Sequence, residues 1–251
     1  MKDLLEIATQ AALAAGKLQR EQFRSELTVN EMQKHDIKLE MDVRCQELIT
    51  SMILGKFPDH AVLGEEGDTT GEGEVEWIVD PIDGTVNYFY GIPHYCVSIA
   101  ARKRETGEWL VGVIYDPNQD ELFTVGQGIE PTLNGKPIRV SQRATIAEAM
   151  VTVGFSKTRS ALDLGFERYK RISYEVRKTR MLGSAALALA YVACGRLDAY
   201  VEEQISLWDV AAGNMLVEAA GGKVRMEPST VKPGTLFICA TNNLVPIEEY
   251  L

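Results

Sequence analysis

The chain has 251 residues, 45% of them hydrophobic and 25% charged, which is enough for one large body with a sizeable core. A formal net charge of −10 argues against nonspecific binding to nucleic acid or to an anionic membrane, because both need a basic footprint. The longest apolar run, Ala185 to Cys194, is about half the ~20 residues that span a bilayer. Leu4, Leu5, Ala8, Ala12, Ala15 and Leu18 recur at three- and four-residue steps, so the first segment is expected to be an amphipathic helix. It carries Asp3 and Glu6 and lacks the basic start and unbroken apolar stretch of a secretory signal, so no leader and a cytoplasmic location are expected. The four cysteines (Cys45, Cys96, Cys194, Cys239) form no CxxC pair and read as small buried hydrophobes.

A second helix is expected over residues 41–57, with Val43, Leu48, Ile49, Met52 and Ile53 on its apolar face and Phe57-Pro58 at its end. The polar connector before it, "NEMQKHDIKLE", fits an extended hairpin or a loop. From Trp77 the pattern changes to short apolar or alternating runs ("EWIVD", "YCVSIAAR", "WLVGVIYD", "ELFTVGQ") punctuated by Asp, Gly and Pro, which predict sheet. Asn134-Gly135 marks a tight turn before another short strand. After about Ala144 strands ("AMVTVGF", "EVRKTR", "DAYVE", "KVRM", "TLFICAT") alternate with helices, around Asp163 to Ser173, at "SAALALAYVAC" and at "WDVAAGNMLVEAA". No repeat or flexible linker separates residues 1–143 from 144–251, so these two halves are expected to share one body.

Five acids stand at the ends of these elements: Glu65 and Glu66 in "LGEEG", Asp80 and Asp83 in "DPIDGT", and Asp209 in "LWDVAAG". Taken singly, a Glu pair in a loop is a solvated surface and an Asp before a helix is a cap. The "DPIDGT" loop says more. Pro81 fixes one backbone angle and Gly84 permits a turn most residues resist, so the loop rigidly aims two carboxylates and the Thr85 hydroxyl. Two acids so close repel unless a cation sits between them. With only three histidines (His35, His60, His94), no i,i+4 pair and no thiolate cluster, zinc and copper are excluded, and an oxygen-only set favours Mg²⁺, with Mn²⁺ as substitute and Ca²⁺ as an inhibitor. His94, close to the motif, reads as structural.

"GEE", "WIVDPIDGT" and "WDVAAG…VEAAGG", in that order, resemble the inositol monophosphatase family of Mg²⁺-dependent, Li⁺-sensitive phosphatases, and the resemblance runs over nearly the whole chain. It implies a layered αβαβα sandwich of the α/β class with the metal site between two sub-halves, and a homodimer. It implies that Glu65, Asp80, the Ile82 carbonyl, Asp83 and Asp209 hold two or three Mg²⁺, Asp80 bridging two of them, with Li⁺ as an inhibitor. Catalytic roles fall to Thr85, which orients the attacking water, to Asp42, which hydrogen-bonds that threonine, and to Glu65; no phospho-enzyme is needed. Gly84 and Thr85 amides add phosphate contacts, Asp83 and Asp209 border the substrate, Gly183, Ser184 and Ala185 lie beside its ring, and Glu202 accepts hydrogen bonds from its hydroxyls. One departure stands out. The family pattern D-x-V-T-x-x-D becomes "DIKLEMD", with Leu39 in place of Thr or Ser and Lys38 in place of Val, so a polar contact near Asp42 is lost.

The expected substrate is a phosphorylated polyol such as inositol 1-phosphate. Fructose 1,6-bisphosphate, histidinol phosphate and adenosine 3′,5′-bisphosphate are the alternatives within the class. A second phosphate would need a basic site, for which Lys157, Arg159, Arg177, Lys178 and Arg180 are available, although a solvated face explains them as well. A reading of another class, a metal-binding regulatory protein without chemistry, would predict a lost ligand among Glu65, Asp80, Asp83, Asp209 or Thr85, and none is lost.

Overall fold

The computed structural model describes residues 1–25, 27–33, 36–67, 69–156 and 158–251. Helix α1 (Lys2–Gln22) buries Ile7, Ala8, Ala11, Ala12, Ala15 and Gln19 along one stripe, as the three- and four-residue steps require. The polar connector takes the hairpin option: β1 (Val29–Gln33) pairs antiparallel with β2 (Asp36–Leu39). Helix α2 (Glu40–Lys56) follows without a break, and β3 (Ala61–Gly64) and β4 (Val75–Asp83) run parallel to each other. A one-turn helix, α3 (Thr85–Phe89), succeeds the acidic loop. The chain then meanders through β5 (Cys96–Lys103), β6 (Trp109–Asp116), β7 (Glu121–Gly126), β8 (Ile129–Leu133) and β9 (Lys136–Pro137), each antiparallel to the last. Together β3 to β9 form a seven-stranded sheet in sequence order.

The remaining elements are β10 (Met150–Val153), α4 (Arg159–Glu175), β11 (Lys178–Arg180), α5 (Ala185–Ala193), β12 (Ala199–Ile205), α6 (Leu207–Ala219), β13 (Lys223–Pro228) and β14 (Leu236–Thr241). Their sheet has the order β11-β10-β12-β14-β13 and is mixed: β10 lies parallel to β11 and β12, while β14 is antiparallel to both its neighbours. Helix α4 starts at Arg159, earlier than its apolar period suggests, because the Thr158 hydroxyl accepts from the Ala161 amide at 3.4 Å and caps it. The strand expected over 175–180 is confined to its last three residues, since α4 runs through Glu175. Strands β3 and β8 and helix α3 were not separable from their loops by pattern, being too short for a period to emerge.

The elements stack in five layers, α–β–α–β–α. Strand alternation decides which side each residue serves. On β4, Trp77 and Val79 pack with α1 and α2, whereas Ile78 faces α5 and α6; on β5, Ile99 and Ala101 take the first side and Ala100 the second. Helices α5 and α6 are sandwiched between the sheets, which is why "AALALAYVA" is buried on almost every side. They touch closely: a methyl group on Gly213 of α6 would lie 2.4 Å from the Leu189 side chain of α5. Helix α4 covers the outer face of the second sheet over Val151, Val153, Val201 and Cys239. Three cysteines are buried as expected, Cys194 is half-buried, and all four are free. Among the described residues no helix is long and apolar enough to cross a membrane.

Candidate active site

In a regular strand Asp80 and Asp83, three residues apart, would point to opposite faces. The β4–β5 ladder prevents this. Asp80 pairs with Ser98 and Asp83 with Cys96, so three steps on β4 are matched by two on β5, and the bulge brings both carboxylates to the face turned toward α5 and α6. Pro81 sits in the bulge, where no ladder donor is needed. Its carbonyl accepts a 2.6 Å hydrogen bond from the buried Gln19 amide of α1, which pins the bulge from behind. Gly84 then turns with φ +99°, a left-handed conformation. A methyl group there would come within 3.0 Å of the His94 carbonyl and 3.3 Å of the Gly183 carbonyl. Asn87 of α3 ties the same two segments together, donating to the carbonyls of His94 at 2.8 Å and Leu182 at 3.0 Å.

Each carboxylate is held by backbone. Asp83 accepts from the Ser184 hydroxyl, from the Ala186 amide at 2.7 Å and from the Ala185 amide at 3.2 Å, so it caps the first turn of α5. Asp209, in the first turn of α6, reaches back to the Ser206 amide at 2.9 Å. Asp80 accepts from the Ile82 amide at 3.0 Å. Oxygens of Asp80, Asp83 and Asp209 all lie within 4.8 Å of one another. Glu65, just past β3, borders the same cleft; its amide donates to the Val79 carbonyl at 3.1 Å, extending the parallel ladder by one bond.

The electrostatics follow from this crowding. Burial and the charges of Glu65, Asp83 and Asp209 push Asp80 well above the usual carboxylate range. Burial, then the charge of Asp83, lifts Asp209 to about 7. Burial raises Asp83 as well, against the opposing pull of its three donors on α5. Oxygen-only donors with strong mutual repulsion fit a hard divalent cation, which would replace repulsion by shared attraction. His94 contributes no ligand to this group: its ring meets Tyr191 edge-on, and burial depresses its basicity.

Thr85 donates within reach of two acceptors, the Ile82 carbonyl at 2.9 Å and Asp42 Oδ1 at 3.2 Å. A hydroxyl has one proton, so these bonds alternate. Asp42 is buried in the first turn of α2 and accepts from the Leu39 amide at 2.8 Å; burial raises its carboxyl to about 7. The lost polar contact at Leu39 is visible here. Leu39 is the residue before α2 and offers no side-chain oxygen to cap it, and it is instead fully buried against the α1–α2 core. Glu66, beside Glu65, has Lys38 at 3.7 Å.

The cleft has a volume of about 390 Å³. Glu202 of β12 lines the same cleft and accepts from the Tyr200 hydroxyl at 2.6 Å and the Ser156 hydroxyl at 3.1 Å. A methyl group on Gly154 would collide with the Glu202 carboxylate, so that glycine makes room for it. Glu202 and Glu203 are not the solvated pair their adjacency suggests: Glu203 is buried on the other face, held by Arg168 at 3.0 Å and Ser229 at 2.7 Å. Gly84, Thr85, Ser184 and Ala185 also line the cleft. Arg159, Arg177, Lys178 and Arg180 are exposed and absent from its lining, and Lys157 lies outside the described residues. Among the described residues, the lysine that borders the cleft is Lys232, in the β13–β14 loop, together with Thr235. Sequence reasoning missed Lys232, Ser156 and Tyr200, because nothing in their local pattern distinguishes them from surface or core residues.

Known proteins share this fold. The inositol monophosphatase family matches residues 1–240. Nus factor SuhB from Xylella fastidiosa is 41% identical over 89% of this chain and 82% of its own length. Inositol monophosphatase 2 from Solanum lycopersicum is 39% identical over 91% of this chain and 89% of its own. The solved inositol monophosphatase from Anabaena (Nostoc) sp. PCC 7120 superposes with a TM-score of 0.86 at 38% identity, covering 99% of this chain and 94% of that one. Coverage, identity and the conserved shape of the fold lead to one conclusion: this chain belongs to the inositol monophosphatase family and is a phosphoric monoester hydrolase.

Proposed function

We propose that the protein hydrolyses a phosphorylated polyol, inositol 1-phosphate before others, to the free polyol and phosphate. The observation that carries this reading is the gathering of Asp80, Asp83 and Asp209 oxygens within 4.8 Å of one another in a cleft that Glu202 also lines. Mg²⁺ is the proposed metal, two or three ions held by Glu65, Asp80, the Ile82 carbonyl, Asp83 and Asp209, with Mn²⁺ as substitute and Ca²⁺ and Li⁺ as inhibitors. Such ions neutralise phosphate oxygens and lower the pKa of a bound water to supply the nucleophile. Thr85 orients that water through its hydroxyl, and Asp42 fixes the hydroxyl's direction. The Gly84 and Thr85 amides face phosphate oxygens. Glu202 accepts hydrogen bonds from two adjacent hydroxyls of the polyol, one per carboxylate oxygen, while Ser184 and Ala185 flank the ring. We further propose a cytoplasmic homodimer, divided into halves 1–143 and 144–251.

A second reading, a sugar bisphosphate, draws support from Lys232: an ammonium bordering the cleft suits a second anionic group. The test is phosphate release, with and without Mg²⁺, from inositol 1-phosphate, fructose 1,6-bisphosphate, histidinol phosphate and adenosine 3′,5′-bisphosphate. Mg²⁺-dependent preference for inositol 1-phosphate supports the first reading and preference for the sugar bisphosphate the second. No turnover on any of them overturns both.

A further inference from the structure

The loop that carries Glu65 leaves the sheet just where its geometry matters most. Glu65 still donates to Val79, but the chain turns away at Gly67 (φ +85°), so the next peptide has no strand beside it. Its polar groups go elsewhere. The Glu66 amide donates to Gln46 Oε1 at 2.9 Å, and Gln46 Nε2 donates back to the Glu66 carbonyl. One side-chain amide thus imitates a neighbouring strand. Gly64 makes the approach possible: a methyl group there would lie 2.1 Å from Gln46 Oε1.

We propose that Gln46 is a positioning residue for Glu65 and thereby sets the affinity of the metal site; this rests on reading Glu65 as a metal ligand. The peptide before Glu65 is fixed by Val79 and the peptide after it by Gln46, so both planes flanking its α-carbon are held and the direction of its Cα–Cβ bond is set. Gln46 lies four residues after Asp42, one helical turn along the same face of α2. Helix α2 therefore holds Thr85 through Asp42 and the Glu65 corner through Gln46 with one rigid rod. A buried or half-buried amide whose partner is deleted loses about one hydrogen bond's net contribution per group.

The test is Mn²⁺ binding to the full-length protein by calorimetry, read independently of turnover, together with the melting temperature of the metal-free form. Glu65→Gln serves as reference. Gln46→Met keeps length and removes both hydrogen bonds; it should weaken Mn²⁺ binding roughly three- to tenfold. Gly64→Ala, which drives the Gln46 amide out, should do the same, and it should add nothing in a Gln46→Ala background, where the collision is gone. Unchanged Mn²⁺ affinity in both Gln46→Met and Gly64→Ala, with affinity lost in Glu65→Gln, overturns the proposal. Unchanged affinity in Glu65→Gln overturns instead the ligand reading beneath it. Lower melting temperature with intact affinity would make Gln46 merely structural and also counts against the proposal.

Discussion

Two regions of the cleft are built on different principles. Among the acids, Asp83, Asp209 and Asp80 each accept from main-chain amides, and three of these four amides (Ala185, Ala186 and Ser206) belong to the first turn of a helix buried between the sheets or to the residue just before one. Elsewhere in the cleft Glu202 accepts from side-chain hydroxyls, those of Tyr200 and Ser156, and Lys232 belongs to an exposed loop. Asp80 and Asp209 accept from main-chain amides that do not depend on a neighbour's side chain, whereas Asp83 also accepts from the Ser184 hydroxyl. Groups held by side chains can be retuned by exchanging any partner. In the proposed function, the metal-holding acids would thus be fixed chiefly by the backbone, and recognition would be left to side chains that can be altered without disturbing them.

Four measurements would break or sharpen this contrast. The largest effect is expected at Asp80: Asp80→Asn keeps an oxygen for the Ile82 amide, so it should melt no lower than wild type while kcat/KM falls by about a thousandfold or more, ~4 kcal/mol of transition-state stabilisation. Asp83→Asn should be equally inactive yet also melt lower, because an NH₂ would face donors on α5. Equal melting of the two variants would refute the backbone-held description.

Asp42 comes next. Its carboxyl is raised from 3.8 to about 7 in the fold, so the folded state binds the extra proton and wild-type stability falls as pH rises from about 4 to about 7, levelling above that. Asp42→Asn does not titrate, so its stability relative to wild type should climb across this range, by on the order of a few kcal/mol, in denaturant melts at pH 4.5, 6 and 8. A flat difference would show that Asp42 is not held neutral at low pH by its burial.

Glu202→Gln should reduce kcat/KM on inositol 1-phosphate about ten- to a hundredfold through loss of charged hydrogen bonds. It should leave para-nitrophenyl phosphate, which has no hydroxyls to recognise, nearly untouched. Equal losses on both would assign Glu202 to the chemistry instead of recognition. The smallest effect is expected from Lys232→Met: KM for fructose 1,6-bisphosphate should rise by roughly threefold and KM for inositol 1-phosphate should stay level, since an exposed ion pair contributes little.

The same contrast explains what could be read before any coordinates. Asp80, Asp83, Gly84 and Thr85 fall within six consecutive residues, and Pro81 and Gly84 announce a rigid turn, so the acidic group was visible in "DPIDGT" together with Glu65 and Asp209. The bulge that makes Asp80 and Asp83 share a face was not, because it is defined by the partner strand. Glu202 was singled out through the family likeness, but the Ser156 hydroxyl reaches it, and Lys232 joins the same cleft, only once the second sheet and its loops have folded, while Tyr200, two residues away on β12, reads as an ordinary strand aromatic. Gln46 looks like any polar residue on a helix until Gly64 lets the Glu66 peptide come against it. The layer order followed from the likeness, whereas the exact starts of α4 and β11 depended on a cap and on helix length that the apolar period does not encode.

The span between partners at the acidic side has a kinetic meaning. Asp83 meets Ser184 across 101 residues of chain, and Ser98 meets the Trp208 carbonyl across 110. Helices α5 and α6 have sheet on both sides, so neither can dock until residues from both halves are in place. Contacts of such long range are costly in loop-closure entropy and form late in folding. The first sheet can therefore assemble with Asp80 and Asp83 already side by side, but the third carboxylate arrives only with the closing of the sandwich. Partly folded chains lack the complete triad, and a cation that needs all three rewards only the finished molecule.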